Sequence, residues 1–139
     1  MGTRIRPEIT EKSKYWIPRH RYYELKHFCL QYPAWKQMYK ILDNAGVPSL
    51  KQIGVPVSNT PGDPVGNRAT IKAYYGKKIE LLEQTAEKAD EYIGRYILKA
   101  VTEELSYTYL RSKLDIPCGK DMYYDRYRKF FWLLSQTRD

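Results

Sequence analysis

SYTYLRSKLDIPCGKDMYYDRYRKFFWLLSQTRD, residues 106–139, carries two helical patterns separated by a Pro/Gly corner. Ser106 can cap the first pattern, in which Tyr107, Leu110 and Leu114 share a face. The second places Tyr123, Tyr127, Phe130 and Leu134 on one stripe, with Phe131 adjoining. Its opposite face carries Asp121, Asp125, Arg128, Lys129 and Trp132, with Lys120 near its start and Arg126 at the boundary. Two architectures fit: a helix-turn-helix that reads DNA, or a helical hairpin that closes a small core. The first needs a preceding helix, an apolar contact near the corner and an inward stripe on the second helix. Residues 91–101, with Ile93, Ile97 and Ala100 in register, Ile116 and the aromatic stripe supply all three.

Working outward, Asp63 and Pro64 suit the start of a long helix, in which Ala69, Ile71, Tyr75, Ile79, Leu82 and Ala86 give a drifting apolar stripe. Gly76 weakens its middle. Before it, AGVPSLKQIGVPVSNTPGDPVG concentrates Pro and Gly and reads as a linker. Tyr22, Leu25, Cys29 and Tyr32 form one helical stripe, and Trp35, Met38, Tyr39 and Leu42 another. Pro33 suits the first turn of the second helix, so the two are expected to fold as a hairpin. Residues 1–18 lack periodicity and read as a basic arm, docked through Tyr15, Trp16 and Ile17, with Pro18 opening the first helix. The expected architecture is all-α, without strands. It comprises a basic arm (1–18), a helical hairpin (19–44), a linker (45–62) and a helical domain (63–139) with a helix-turn-helix-like C-terminal three-helix unit.

Composition bears on partners. The net charge of +8 is uneven: residues 1–54 hold ten bases and four acids, while residues 55–119 are neutral. A clustered excess of this kind suits a polyanion, so the basic N-terminal third, Arg19 and Arg21 included, is expected to lie on phosphate. Fourteen tyrosines suit half-buried positions, interfaces and stacking surfaces equally. Cys29 and Cys118 make neither a disulfide framework nor a CxxC pair, and no apolar run is long enough to span a bilayer. A cytoplasmic protein that does not engage a membrane is the expectation.

The segment YLRSKLDIPCGKDMYYDRYRKFFWLL resembles the C-terminal portion of phage late-gene transcriptional regulators of the ArpU/RinA type, themselves similar to the DNA-reading region of sigma factors. The resemblance rests on a short helix, a corner and a YYxRxRKxxxxL helix in that order, after a Pro-rich PGDP and a charged helix. It implies a DNA-binding regulator encoded by a prophage or mobile element, with Lys120, Tyr124, Arg126 and Lys129 at recognition and phosphate contacts. Arg111 stands where that pattern has a small residue and Asp115 where it has the corner glycine. The corner is also about two residues longer than the common one. Double-stranded DNA is the expected partner, with host RNA polymerase or a second copy of the chain as further candidates. Two other classes fit a basic helical chain: a DNA-packaging adaptor of small-terminase type, and an interaction or inhibitor protein that binds no nucleic acid.

No enzymatic chemistry is expected. His20 and His27 lie seven apart with Cys29 nearby, but no further residues fall at zinc-ligand spacing. Cys118 has no assignable general base, and the YYDRYR tyrosines lack the other groups a phosphodiester-cleaving site assembles. No metal or cofactor is expected.

Overall fold

The computed structural model describes residues 14–43 and 64–138. Among the described residues it holds six α-helices and no strand: α1 (Arg19–Leu30), α2 (Tyr32–Asp43), α3 (Pro64–Ala89), α4 (Gly94–Glu103), α5 (Tyr107–Lys113) and α6 (Lys120–Thr137). The protein is all-α, as the apolar spacings require. The linker at 45–62 and the capping role of Asp63 lie outside the described residues.

The chain divides into two compact units, with a boundary inside α3: residues up to Gln31 together with Leu81 onward, and Tyr32–Glu80. The segments read from sequence divide differently, because residues 19–44 are shared between the two units. Only Gln31 separates α1 from α2, yet the apolar face of α1 packs against α4 and α6. An apolar stripe shows that a face is buried; it does not name the partner.

In the first unit, the core gathers Leu25 and Cys29 of α1, Leu82 and Ala86 of α3, Ile97 of α4, Leu110 of α5, and Tyr123, Phe130, Phe131 and Leu134 of α6. Its aromatic centre is built edge to face. The Phe131 ring stands 5.1 Å from Tyr22 and 5.0 Å from Tyr127, and the two tyrosine hydroxyls share a hydrogen bond of 2.8 Å. Each phenol keeps its polar tip satisfied while its ring is buried. Buried Thr85 and Thr102 donate to the carbonyls of Leu81 and Leu98, one turn back. Ile17, only 4% exposed, belongs to this core, and the Tyr15 ring lies 5.7 Å from that of Trp132. The stretch 15–17 is therefore part of the folded unit.

The α3–α4 junction depends on one glycine. A Cβ on Gly94 would meet the Ala86 carbonyl oxygen at 2.3 Å, so only glycine permits this backbone approach. Asp90 sets the entry to α4, its Oδ1 accepting from the N–H groups of Tyr92 at 2.8 Å and Ile93 at 2.9 Å.

In the second unit, Leu42 of α2 packs with Met38 and with Ile71 and Tyr75 of α3. Pro33 sits in the first turn of α2, where its missing N–H costs nothing. Gly76 has a positive role here. A Cβ there would stand 3.0 Å from Tyr39 Cε2, so the glycine seats the Tyr39 ring against α3.

Candidate nucleic-acid interface

Helices α4, α5 and α6 follow in the order a helix-turn-helix needs. α4 ends at Glu104 in the left-handed region (φ 56°), with Leu105 N–H returning to the Ala100 carbonyl at 3.0 Å. Ser106 then caps α5, its Oγ accepting from Tyr109 N–H at 3.1 Å. Both α5 and α6 pack on α4.

The long corner is held by four features. Asp115 takes the left-handed conformation (φ 54°) usually given to glycine, which a short polar side chain tolerates. Ile116 N–H bonds the Leu110 carbonyl at 3.1 Å, and its side chain is fully buried. Arg111 Nη1 donates to the Ile116 carbonyl at 3.1 Å. Tyr107 O–H donates to the Cys118 carbonyl at 2.7 Å, and its ring lies 5.4 Å from that of Tyr123. Arg111 thus ties the enlarged corner that a small residue at its position would leave loose. The Cys118 thiol is pushed up by burial and by nearby Asp90, which keeps it protonated and a poor nucleophile.

α6 buries the stripe read from sequence. Tyr123, Phe130, Phe131 and Leu134 are buried, and Tyr127, half-buried overall, keeps its hydroxyl on Tyr22. Burial, with the Tyr22 hydroxyl beside it, pushes the Tyr127 phenol well above the ordinary tyrosine value. Of the other candidate residues, Lys120 at the helix start is exposed and Arg128 and Lys129 are half-buried at the surface. The half-buried Tyr124 ring joins the aromatic cluster, 5.0 Å from Tyr123, 6.0 Å from Tyr127 and 6.5 Å from Tyr107. Asp121 is exposed and Asp125 half-buried among them, and Met122 is 42% exposed.

Two of the arginines expected on DNA are instead engaged within the fold. Arg126 turns to the side: its Nε donates to Asp90 Oδ2 at 3.0 Å and its Nη1 pairs with Asp125. Burial alone would raise the Asp90 carboxyl. The N–H groups of Ile93 and Tyr92 and the Arg126 guanidinium outweigh it and hold the carboxyl below its usual range. Arg126 is therefore a bridge from α6 to the start of α4. Arg21 is the second arginine engaged within the fold. Its Nη2 donates to the Ser135 carbonyl at 2.9 Å and to the Arg138 carbonyl, and its Nε to Ser135 Oγ at 3.1 Å. A guanidinium from α1 thus caps the C-terminal end of α6, where carbonyls lack helical partners and a positive charge suits the dipole. Arg19, at the first position of α1, is exposed.

Sequence reasoning passed over Asp90 and Arg138. An Asp three residues ahead of an apolar helical run was a readable capping signal at Asp90. Nothing local marked Arg138, whose guanidinium stands over the Phe28 ring at 4.2 Å. Among the described residues no group of three or more His, Cys, Asp or Glu is arranged to hold a metal ion, and no helix is long and apolar enough to cross a membrane. Comparison of the chain with protein-family models, with curated proteins and with solved structures gives no match.

Proposed function

We propose that this chain is a DNA-binding transcriptional regulator of phage or mobile-element type, with α6 as the helix that enters the major groove. The observation that carries the reading is how α6 divides its side chains. Its aromatic stripe is spent on the core and half-buried Tyr124 packs against it, while Lys120, Arg128 and Lys129 remain at the surface of the helix that follows α5 and the corner. Lys and Arg there suit phosphate oxygens and the O6/N7 edge of guanine, and Tyr124 offers a hydroxyl and a ring edge. Asp121 and Asp125 repel phosphate but accept from cytosine N4, so they would favour particular sequences over duplex DNA in general. Arg19 adds a phosphate contact from outside the motif. The net charge of +8 supports a polyanionic partner, and the resemblance of residues 109–134 to ArpU/RinA-type regulators points the same way.

Selection of duplexes from a random pool by the full chain tests this. Enrichment of a defined motif, by a protein whose light-scattering mass is a monomer or dimer, is the expected result. A ring-sized mass with no enriched sequence would favour the packaging adaptor. No retention of duplex even at low salt would favour an interaction protein.

A further inference from the structure

From the second compact unit we infer a separate binding surface for single-stranded nucleic acid, centred on Tyr74, Lys77 and Lys78 of α3. Residues three and four apart on a helix are neighbours, so both lysines stand one turn beyond the tyrosine on its own face. The Tyr74 ring is 57% exposed and is set by an edge contact of 5.3 Å with Tyr75, which itself packs on Leu42. Lys78 Nζ lies 4.7 Å from the Tyr74 centroid and 5.4 Å from that of buried Trp35, so its ammonium is held between a surface ring and a core ring. Lys77 is exposed.

The same pairing recurs elsewhere in the unit. Tyr39 is seated on Gly76 and has Lys72 Nζ 5.1 Å from its centroid, and Lys36 Nζ lies 5.6 Å from the Tyr32 ring. Three lysines of α2 and of residues 64–80 of α3 thus stand within the roughly 6 Å reach of a cation–π contact. Among the described residues of this unit the bases are Lys36, Lys40, Arg68, Lys72, Lys77 and Lys78. The acids are Asp43 and Glu80, and Asp43 is already paired with Lys72.

Glu80 lies three residues beyond Lys77, so the charges alone would suit an ordinary solvated face; it is the exposed ring among them that such a face does not need. An exposed ring flanked by positioned ammonium groups matches an unpaired base stacked on the ring with its flanking phosphates on the lysines. Duplex DNA keeps its bases inside the stack, so its phosphates alone are available here. This surface shares no residue with α6, and the inference stands apart from the proposal made for that helix.

The test is fluorescence anisotropy of labelled 20-mers of dT and of U, and of a random-sequence duplex, with the full chain. The parent should bind at least one of the single strands, and the dT and U arms tell DNA from RNA. Tyr74→Ala should weaken that binding about 5- to 150-fold, the range one base–ring stack gives. Tyr74→Phe should restore it, because stacking needs the ring and not the hydroxyl. Duplex affinity and melting should not change in either variant. Failure of the parent to bind either strand would overturn the inference, as would Tyr74→Ala binding like the parent. Equal loss of duplex and single-strand binding would reduce the surface to general charge and overturn it too.

Discussion

Replacing Arg126 with alanine should weaken the fold and leave duplex affinity unchanged in the folded protein. The Arg126–Asp90 bond is 3.0 Å long, the aspartate side chain is 8% exposed and the arginine 33%. A hydrogen bond to a charged group is worth about 1.5–3 kcal/mol when enclosed. A solvent-screened ion pair is worth only about 0–1 kcal/mol. This pair lies between those limits, because the aspartate side chain is enclosed while the arginine side chain is a third exposed. Asp90 also keeps the N–H groups of Tyr92 and Ile93 when the arginine is gone. The expected loss is therefore about 1–2 kcal/mol, or roughly 4–15 °C in Tm for a unit of this size.

The pH dependence fixes the sign. The Asp90 carboxyl is held below its ordinary 3.8, so the stabilisation is fully present above that value. It is lost as pH falls through the depressed one, and parent and variant should converge in acid. Melting of the parent, Arg126→Ala, Asp90→Asn and the double variant at neutral and acid pH, with duplex binding of each, is the assay. If Arg126→Ala melts like the parent but loses DNA, the arginine faces the groove and this account of α6 is wrong.

The two helical glycines should respond to alanine in opposite directions. Gly94→Ala drives a Cβ into the Ala86 backbone and should cost about 3 kcal/mol. Gly76→Ala meets only the edge of a surface ring that can swing aside, and should be neutral or stabilise by up to about 1 kcal/mol through helix propensity. Chemical denaturation of both checks this, and equal effects would refute it. Tyr127→Ala should cost about 3–5 kcal/mol, since it removes a ring packed on Phe131 together with its hydrogen bond to Tyr22. Tyr127→Phe should cost about 1 kcal/mol, and calorimetry separates the two. Burial raises the Tyr123 and Tyr127 phenols above their ordinary 10.0. The stability they contribute is intact below that pH and lost as it rises further, so Tm should fall in strong base. Titration of all phenols near their ordinary value with Tm unchanged would contradict the buried pair.

Much of the helical pattern was readable because the apolar residues of most helices recur at spacings of three and four. The stripe of α6, the Ser106 cap and Ile93, Ile97 and Ala100 in register all follow from spacing and capping chemistry that act within a turn or two. What spacing could not supply is the partner of each face. α1 and α2 are adjacent in the chain and read as a hairpin, yet the face of α1 with Tyr22, Leu25, Phe28 and Cys29 is buried on helices far along the sequence. The same limit misplaced the arginines. Arg21 reaches Ser135 and Arg126 reaches Asp90, so both look like free surface cations until the fold brings their acceptors close. Helical position puts Arg128 and Lys129 on the surface. Arg126, at the edge of the stripe, was expected to face outward with them, and the Asp90 carboxylate draws it into the fold instead.

Duplex affinity of the double variant Arg128→Ala, Lys129→Ala, measured across a salt series beside its melting curve, tests the central claim most directly. Melting should stay within about half a kcal/mol of the parent, because neither side chain is buried in the core. Affinity should fall by about 1–3 kcal/mol for each side chain that reads a base edge. Every phosphate deprived of its cation should make the log–log salt slope shallower by about 0.9. A variant that binds duplex as the parent does, with the same salt slope, would show that α6 does not read DNA.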